Sequence, residues 1–189
     1  FQYLIPILQE SEFGFEQFSE LRQHTQKRNL DFLCTPFDEQ AVDFLEQFDL
    51  PAYKVSSADL SNLLLLEKLV GTKKPLMLST GMSTLKDIDY VGQHLRNWDA
   101  EVILLHCVSA YPTPSKDTHL NFVKVLRERY GVPIGFSSHE IGIDITVAAV
   151  ATGVSLIERH ITLDKRMEGP DHTSSLEPDQ LREMVKKVR

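Results

Sequence analysis

Residues 133–137 read Pro-Ile-Gly-Phe-Ser, and residues 156–160 read Leu-Ile-Glu-Arg-His. Both runs are short and apolar on both faces, which is typical of strands buried on both sides in a parallel sheet. Four runs of the same kind come earlier in the chain, at residues 31–35, 52–56, 76–80 and 102–106. The sequence therefore predicts six parallel strands.

Stretches with a helical spacing of apolar residues separate these strands. The clearest cover residues 42–48, 85–95 and 122–130, and a further one covers residues 181–188. Strand followed by helix, repeated along the chain, indicates a parallel α/β fold.

Polar residues collect directly after each predicted strand. They are Thr35, Ser57, Asp59, Ser79, Thr80, Ser109, Tyr111, Ser137, His139, Glu158 and His160. Function is found at the carboxyl ends of parallel strands in open sheets and in (β/α)₈ barrels alike. Because every unit contributes, the pattern favours the barrel. A complete barrel needs about 250 residues, so we expect residues 1–189 to form one partial barrel domain, with strands 3 to 8 present and strands 1 and 2 missing.

The charge and cysteine content exclude several classes of protein. The 189 residues carry 20 basic and 27 acidic side chains, a net charge of −7, so no basic stripe is available for a nucleic-acid partner. No apolar run approaches the roughly 20 residues that cross a membrane. Cys34 and Cys107 each lie in an apolar run, which predicts buried, reduced thiols. Reduced thiols favour the cytoplasm.

Two histidines end neighbouring predicted strands. His139 follows one strand and His160 closes the next, and imidazole is a common ligand of divalent metals. Their separation matches no local metal motif, so a hydrogen-bonded core or rim histidine is the alternative for each. Glu158 shares strand parity with His160 and is expected to point into the barrel, where it needs a cation, either a metal or a lysine.

Lys54 introduces an ammonium group into a strand that otherwise has a buried pattern. Such a lysine can hold an anionic substrate or form a Schiff base, while a snorkelling or salt-bridged lysine is the structural alternative. Hydroxyl groups follow this strand and its neighbours, at Ser56, Ser57, Ser79, Thr80 and Ser137. Hydroxyls combined with one or two cations can cradle a phosphate or a carboxylate.

Three loop residues add further candidates. The segment Gly169-Pro-Asp-His172 fixes a loop that would present Asp171 at the barrel mouth, although an Asx-type turn or a capping cluster is equally compatible with it. Tyr111 either packs its own loop or offers a hydroxyl group to a substrate. Gly81 is expected to permit a tight turn into the next helix.

Successive strand-end segments resemble those of the N-acetylneuraminate (sialic acid) synthase family. The segments are Thr35-Pro-Phe, Tyr53-Lys-Val-Ser-Ser-Ala-Asp59, Leu78-Ser-Thr-Gly-Met82, Leu105-His-Cys-Val-Ser-Ala-Tyr-Pro112, Gly135-Phe-Ser-Ser-His139, Ile157-Glu-Arg-His160 and Gly169-Pro-Asp-His172. This family also includes legionaminate and pseudaminate synthases and spore-coat polysaccharide proteins. The resemblance implies a (β/α)₈ barrel followed by an antifreeze-like domain, in a domain-swapped homodimer.

The resemblance also implies a reaction and a role for each site residue. Family members condense phosphoenolpyruvate with an N-acetylated hexosamine, use Mn²⁺ or Mg²⁺, and release phosphate. The metal-binding positions fall on His139 and His160, and the carboxylate of the eighth strand falls on Glu158. The phosphoenolpyruvate positions fall on Thr35, Lys54, Ser57, Ser79, Ser109 and Ser137, and the sugar positions on Asp59, Tyr111 and Asp171. We therefore expect Lys54, Glu158 and Asp171 to be the catalytic residues.

The sequence departs from the family pattern in several places. Ser138 stands where family members commonly have aspartate, and Ser109 stands where many have asparagine. The family's first-strand glutamate, second-strand lysine and antifreeze-like domain have no counterpart in residues 1–189, so we expect this segment alone to be inactive. Two other functions stay open at this point: a Schiff-base aldolase that uses Lys54, and a non-catalytic sugar-binding barrel.

Overall fold

The computed structural model of the protein describes residues 4–10, 12–97 and 99–189. Its centre is a sheet of five parallel strands whose order in space follows their order in the chain. The strands are β1 (Tyr53–Val55), β2 (Leu76–Ser79), β3 (Val102–Cys107), β4 (Ile134–Ser138) and β5 (Leu156–Arg159). Five of the predicted strands are confirmed, and their observed ends differ from the predicted ends by at most one residue.

The remaining predicted strand, residues 31–35, is not a member of this sheet. One long hydrogen bond joins it to β1, from the Lys54 amide to the Cys34 carbonyl oxygen at 3.5 Å. A parallel ladder consists of evenly repeated bonds, and a single long bond does not amount to one. In the part of the chain that the structure describes, the number of strands is therefore corrected from six to five, while the parallel α/β arrangement is confirmed.

Helices follow and separate the strands. The described residues form α1 (Leu4–Glu10), α2 (Phe15–Gln26), α3 (Glu39–Glu46), α4 (Leu63–Gly71), α5 (Leu85–Asn97), α6 (Phe122–Tyr130), α7 (Asp144–Ala151) and α8 (Pro178–Val188), together with short 3₁₀ helices at Ser57–Asp59, Ser115–Asp117 and His172–Ser174. The helical spacing correctly predicted α3, α5, α6 and α8. Helices α4 and α7 are apolar on nearly all sides, so their sequences show no such spacing. None of the described helices is long and apolar enough to span a membrane.

Alternate strand residues face the helices and form the main hydrophobic core. Tyr53, Val55 and Leu78 are buried in one cluster with apolar residues of α3, α4, α5 and α6. A smaller cluster around Leu176 and Met184 packs α8 against the last strand. Because successive side chains of a strand point to opposite faces, the remaining strand residues face away from the helices.

These remaining residues face a hollow inside the curl of the sheet. Lys54 and Met77 from the first two strands line one pocket together with Leu156 and Glu158 from the last strand. Strands at opposite edges of a flat sheet could not share a pocket. The sheet is therefore curled as part of a barrel, and its inner face is polar near the carboxyl ends of the strands.

Gly135 in β4 occupies a tight position inside the curl. A Cβ atom at this residue would lie 2.3 Å from Leu105 Cδ2 and 3.0 Å from the Leu156 carbonyl oxygen. We expect Gly135→Ala to lower the free energy of unfolding by about 1–3 kcal/mol, the usual cost of overpacking, measured by urea denaturation.

Gly92→Ala in α5 is the matched control for this substitution. A Cβ atom at Gly92 would meet nothing closer than Arg96 Nη1 at 3.5 Å. Alanine favours a helix interior over glycine, so the free energy of unfolding should rise by about 0.5–1 kcal/mol. Equal stability of Gly135→Ala and the wild type would contradict the tight packing of the inner face.

His106 in β3 is buried on the helix side of the sheet. It is 4% exposed, its Nε2 donates to the Thr118 carbonyl oxygen at 2.6 Å, and its ring packs beside Phe122 and Phe136. Its Nδ1 has no hydrogen-bond partner among the described residues. Burial lowers the pKa of His106, so the folded protein holds this imidazole neutral.

The lowered pKa of His106 predicts a loss of stability in mild acid. The unfolded chain has the ordinary histidine pKa, near 6.5, and binds the proton more readily than the folded chain, so stability falls as the pH drops below about 6.5. We expect His106→Gln to remove up to about 1.4 kcal/mol per pH unit from the slope of unfolding free energy as the pH falls below about 6.5. His139, whose pKa burial also lowers, supplies part of the slope that remains. A slope in His106→Gln equal to that of the wild type would show that other groups cause the loss of stability.

Candidate active site

Four polar side chains from different strands point into the hollow. Lys54 on β1, Ser79 on β2, Ser137 on β4 and Glu158 on β5 all have the inward parity, opposite to that of the core residues. The strand register places Ser137 directly opposite Glu158. The curl of the sheet thereby gathers an ammonium group, a carboxylate and two hydroxyl groups that lie far apart in the sequence.

Lys54 and Glu158 form an ion pair across the hollow. Lys54 Nζ lies 3.7 Å from Glu158 Oε2 and donates to the Val55 carbonyl oxygen at 2.8 Å, while Ser137 Oγ donates to Glu158 Oε1 at 2.8 Å. Burial lowers the pKa of Lys54, and the Glu158 carboxylate opposes that shift. The side chain of Glu158 is 36% exposed, against 12% for Lys54, so solvent reaches the pair from the side of the carboxylate.

Ser79 presents a buried hydroxyl group to the hollow. The residue is 2% exposed, and its Oγ has no hydrogen-bond partner in the part of the chain that the structure describes. Leaving such a group unpaired costs about 1–3 kcal/mol. A ligand oxygen that accepted from Ser79 Oγ would recover this free energy.

Gly81 brings the backbone into contact with two further predicted hydroxyl groups. Its amide donates to Ser57 Oγ at 3.1 Å, and a Cβ atom here would lie 2.7 Å from Ser109 Oγ and 2.9 Å from Cys107 Sγ. Gly81 lies in a turn, as expected. Its φ lies outside the left-handed region, so the backbone conformation does not require glycine. The close approach of Ser109 and Cys107 does, because it leaves no room for a Cβ atom. Burial raises the pKa of Cys107, so a neutral thiol completes the cluster.

His139 and His160 lie side by side just beyond β4 and β5. Their ring centroids are 5.2 Å apart, and the Tyr111 ring lies 4.1 Å from that of His139 and 5.9 Å from that of His160. His139 Nδ1 donates to the Val108 carbonyl oxygen at 2.9 Å, which leaves the Nε2 lone pair available. Burial lowers the pKa of His139, so this imidazole is neutral near pH 7 and able to bind a metal.

Asp171 and Tyr111 lie at the mouth of the hollow, next to this pair of imidazoles. Asp171 Oδ2 is 3.7 Å from His160 Nδ1. Burial, and after it the nearby acidic groups, raises the pKa of Tyr111 to about 12. The phenol is therefore a neutral hydroxyl group near pH 7, able to donate and to accept a hydrogen bond.

Thr35 and Asp59 differ in how their side chains are engaged. Thr35 is half-buried and lines the hollow beside Lys54. The Asp59 carboxylate accepts from Ser56 Oγ at 2.6 Å and from Asn62 Nδ2 at 3.5 Å, because it belongs to the 3₁₀ turn that follows β1. The sugar-binding role of Asp59 stays a prediction.

The structure adds groups that the strand-end patterns do not reveal. The Val108 carbonyl group orients His139, and Cys107 packs among the hydroxyl groups. Arg159 and Glu140 form a buried ion pair behind the two histidines. Strand parity could have placed Arg159 on the helix side of β5, but its partner lies in a loop, where no spacing rule points to it.

The two imidazoles fit a divalent metal as a partial ligand set. Within the described ranges no group of three or more histidine, cysteine, aspartate or glutamate side chains is arranged to hold a metal ion. His139 and His160 can supply two nitrogen ligands, and the bond from His139 to Val108 is the outer support usual for a metal-bound imidazole. The other positions would fall to substrate or water, as at catalytic metal sites.

Comparison with known proteins gives relatives along nearly the whole chain. The NeuB family sequence model matches residues 2–189. The N-acetylneuraminate-9-phosphate synthase of Drosophila melanogaster is 41% identical over 176 residues, which cover 92% of this chain and 47% of the fly protein. The N,N'-diacetyllegionaminic acid synthase of Campylobacter jejuni is 38% identical over 188 residues, which cover 98% of this chain and 56% of that protein.

A solved structure shares the fold. The crystal structure of N-acetylneuraminic acid (sialic acid) synthetase from Leptospira borgpetersenii, in complex with citrate, has a TM-score of 0.95 and 33% identity, and the match covers 99% of this chain and 66% of that one. The chain spans about half the length of the two curated relatives, 47% and 56%.

Proposed function

Because the chain belongs to the NeuB family, we propose that the intact protein condenses phosphoenolpyruvate with an N-acetylated hexosamine to form a nonulosonic acid, with release of phosphate. The relatives named above are synthases of N-acetylneuraminate 9-phosphate and of N,N'-diacetyllegionaminic acid, which supports a reaction of this type. The observation that carries the proposal is the Lys54–Glu158 ion pair, which holds an ammonium group in a hollow lined by hydroxyl groups.

The inner end of the hollow suits the anionic substrate. Phosphoenolpyruvate carries a phosphate and a carboxylate, and we assign both to the ammonium group of Lys54 and the surrounding hydroxyl groups. The buried, unpaired Ser79 Oγ supports this assignment most directly, because it needs an acceptor that no described residue provides. The other hydroxyl groups are those of Thr35, Ser57, Ser109 and Ser137.

The mouth of the hollow suits the sugar. We assign the hexosamine to Tyr111, Asp171 and Asp59, with His139 and His160 holding Mn²⁺ or Mg²⁺ beside it. When bound, the ion supplies Lewis-acid polarisation of the sugar aldehyde. The neutral phenol of Tyr111 and the carboxylate of Asp171 hydrogen-bond the sugar and orient it toward the anion site.

The residues on the inner strands hold the reacting atoms in place. The π electrons of the phosphoenolpyruvate double bond form a bond from its methylene carbon to the aldehyde carbon of the sugar, and the aldehyde oxygen takes a proton to become a hydroxyl group. Water adds to the carbon that bears the phosphate and supplies that proton. The C–O bond to phosphate then breaks, the second water proton leaves with the phosphate, and the 2-keto group of the product remains. Lys54 offsets the charge of the departing phosphate or of the retained carboxylate. Glu158 keeps Lys54 protonated and fixes Ser137 by accepting its hydrogen bond.

Phosphate release by the intact protein tests this function. The protein is incubated with phosphoenolpyruvate and each of a panel of N-acetylated hexosamines, with and without a chelator. We expect release with at least one sugar, its loss with the chelator, and its recovery on addition of Mn²⁺ or Mg²⁺. A non-catalytic sugar-binding barrel would give a different result. It would bind a sugar whether or not phosphoenolpyruvate is present, and it would release no phosphate with any sugar.

A further inference from the structure

We propose that the buried ion pair of Arg159 and Glu140 positions His139 and His160 relative to each other, an inference that rests on the proposed function. The pair lies on the helix side of the sheet, behind the two imidazoles. Arg159 Nη1 is 2.7 Å from Glu140 Oε1, and both side chains are 2% exposed. By strand parity the side chains of both residues point to the helix side, so they act on the site through their neighbours.

The guanidinium group of Arg159 donates several hydrogen bonds to Glu140 and to residues around it. Its Nη1 also donates to Ser138 Oγ at 2.7 Å and to Thr146 Oγ1 at 3.0 Å, and its Nη2 donates to the Glu140 carbonyl oxygen at 2.9 Å. Glu140 Oε1 accepts from the Thr146 amide at 3.1 Å and from its hydroxyl group at 2.8 Å, and Glu140 Oε2 accepts from Ser138 Oγ. The network therefore joins the end of β4, the loop after it, α7 and β5.

The sequence position of each partner places the network directly against the imidazoles. Ser138 and Glu140 flank His139 along the chain, and Arg159 lies between Glu158 and His160. Side chains along a strand alternate between its two faces. A network that holds the side chains of residues 138, 140 and 159 on the outer face therefore directs His139 and His160 to the inner face. Ser138, which departs from the family pattern, belongs to this outer network.

The same guanidinium group also reaches the loop that carries Asp171. Arg159 Nη2 donates to the Ser174 carbonyl oxygen at 3.3 Å. The Ser174 amide and hydroxyl group both bond the Asp171 carbonyl oxygen, at 3.1 and 2.9 Å. Arg159 thus contacts residues that hold three of the groups at the mouth of the hollow: His139, His160 and Asp171.

Stability alone does not account for this pair. Removing two charges from water is expensive, and buried ion pairs can often be replaced by apolar residues of similar volume without loss of stability. Lysine could supply the charge, but it lacks the planar fork that holds several acceptors in fixed directions. The number and spread of the Arg159 contacts indicate a geometric role.

The test removes both charges and measures the fold and the site separately. In the intact protein, Arg159→Met/Glu140→Leu should keep a cooperative urea transition with a midpoint close to that of the wild type. Its affinity for Mn²⁺ alone, measured by calorimetry, should fall by about 10–100-fold, the usual effect of losing outer support for metal ligands. Arg159→Lys should give an intermediate affinity.

The control is a chemically similar ion pair far from the hollow. Arg129 on α6 binds Asp89 on α5 through two bonds, at 2.7 and 2.5 Å. Arg129→Met/Asp89→Asn should leave the Mn²⁺ affinity unchanged. A folded Arg159→Met/Glu140→Leu variant with wild-type Mn²⁺ affinity would overturn the inference.

A second readout separates this inference from the proposed function. The NMR shifts of the His139 and His160 rings report their contacts with each other and with Tyr111, and they should move in Arg159→Met/Glu140→Leu but not in the control. If the wild type binds no Mn²⁺, the metal part of the proposed function fails, and unchanged ring shifts would then overturn the positioning role. If the double variant does not fold, the same two readouts on Arg159→Lys and Glu140→Gln decide the question.

Discussion

Replacing His160 with alanine in the intact protein is expected to abolish metal-dependent phosphate release. The substitution removes one of two imidazoles whose ring centroids lie 5.2 Å apart, and His139 alone leaves an incomplete anchor for a divalent ion. Lewis-acid polarisation is worth several kcal/mol in the transition state. The value of kcat/KM should therefore fall by at least about 10²–10³-fold, measured as phosphate release over a series of Mn²⁺ concentrations.

Two further variants make the result specific. His139→Ala should have an effect of similar size, and His139→Ala/His160→Ala should be little worse than either single variant, because groups that act as a unit are not additive. His24→Ala, on the exposed side of α2, should behave as the wild type. Full metal-dependent turnover in His160→Ala would remove the metal assignment and leave His160 as a rim histidine.

Most of the fold could be predicted because parallel strands buried on both faces carry a strong apolar pattern. The segment at residues 31–35 shows where this reasoning fails. Its composition matches that of the true strands, but strand assignment depends on repeated backbone bonds to a neighbour. Among the described residues, only the Lys54 amide bonds to this segment, at 3.5 Å. Pairing is a property of two segments, so one segment's composition does not determine it.

Part of the candidate site could likewise be predicted from the sequence, and part could not. Inward parity follows from the strand sequences, so Lys54, Ser137 and Glu158 could be placed on one face before their contacts were known. The pairing of Lys54 with Glu158 at 3.7 Å depends on the curl that brings β1 opposite β5. The packing at Gly81 likewise depends on loops that approach from separate strands. Long-range contacts of this kind leave no periodic pattern.

Replacing Lys54 with methionine is expected to weaken phosphoenolpyruvate binding strongly while leaving the fold intact. Methionine keeps most of the length of the stem but removes the charge, and a hydrogen bond to a charged group is worth about 1.5–3 kcal/mol. The KM for phosphoenolpyruvate should rise by about 10–100-fold. Lys54→Arg should retain part of the affinity, because it keeps the charge but not the compact shape of the ammonium group.

The variant Lys54→Met/Glu158→Gln separates substrate binding from the effect of an unpaired carboxylate. If Lys54 holds the anion directly, this double variant should remain as weak as Lys54→Met. If the loss arises only because Glu158 repels the substrate, the double variant should recover.

The Schiff-base alternative makes a different prediction, since borohydride reduction in the presence of a keto acid would then trap a covalent adduct on Lys54. Burial lowers the pKa of this amine, which such a nucleophile requires, but the Glu158 carboxylate 3.7 Å away favours the protonated form. An ammonium ion has no lone pair with which to attack a carbonyl carbon, so we expect mass spectrometry to find no adduct, and an adduct on Lys54 would refute the electrostatic role.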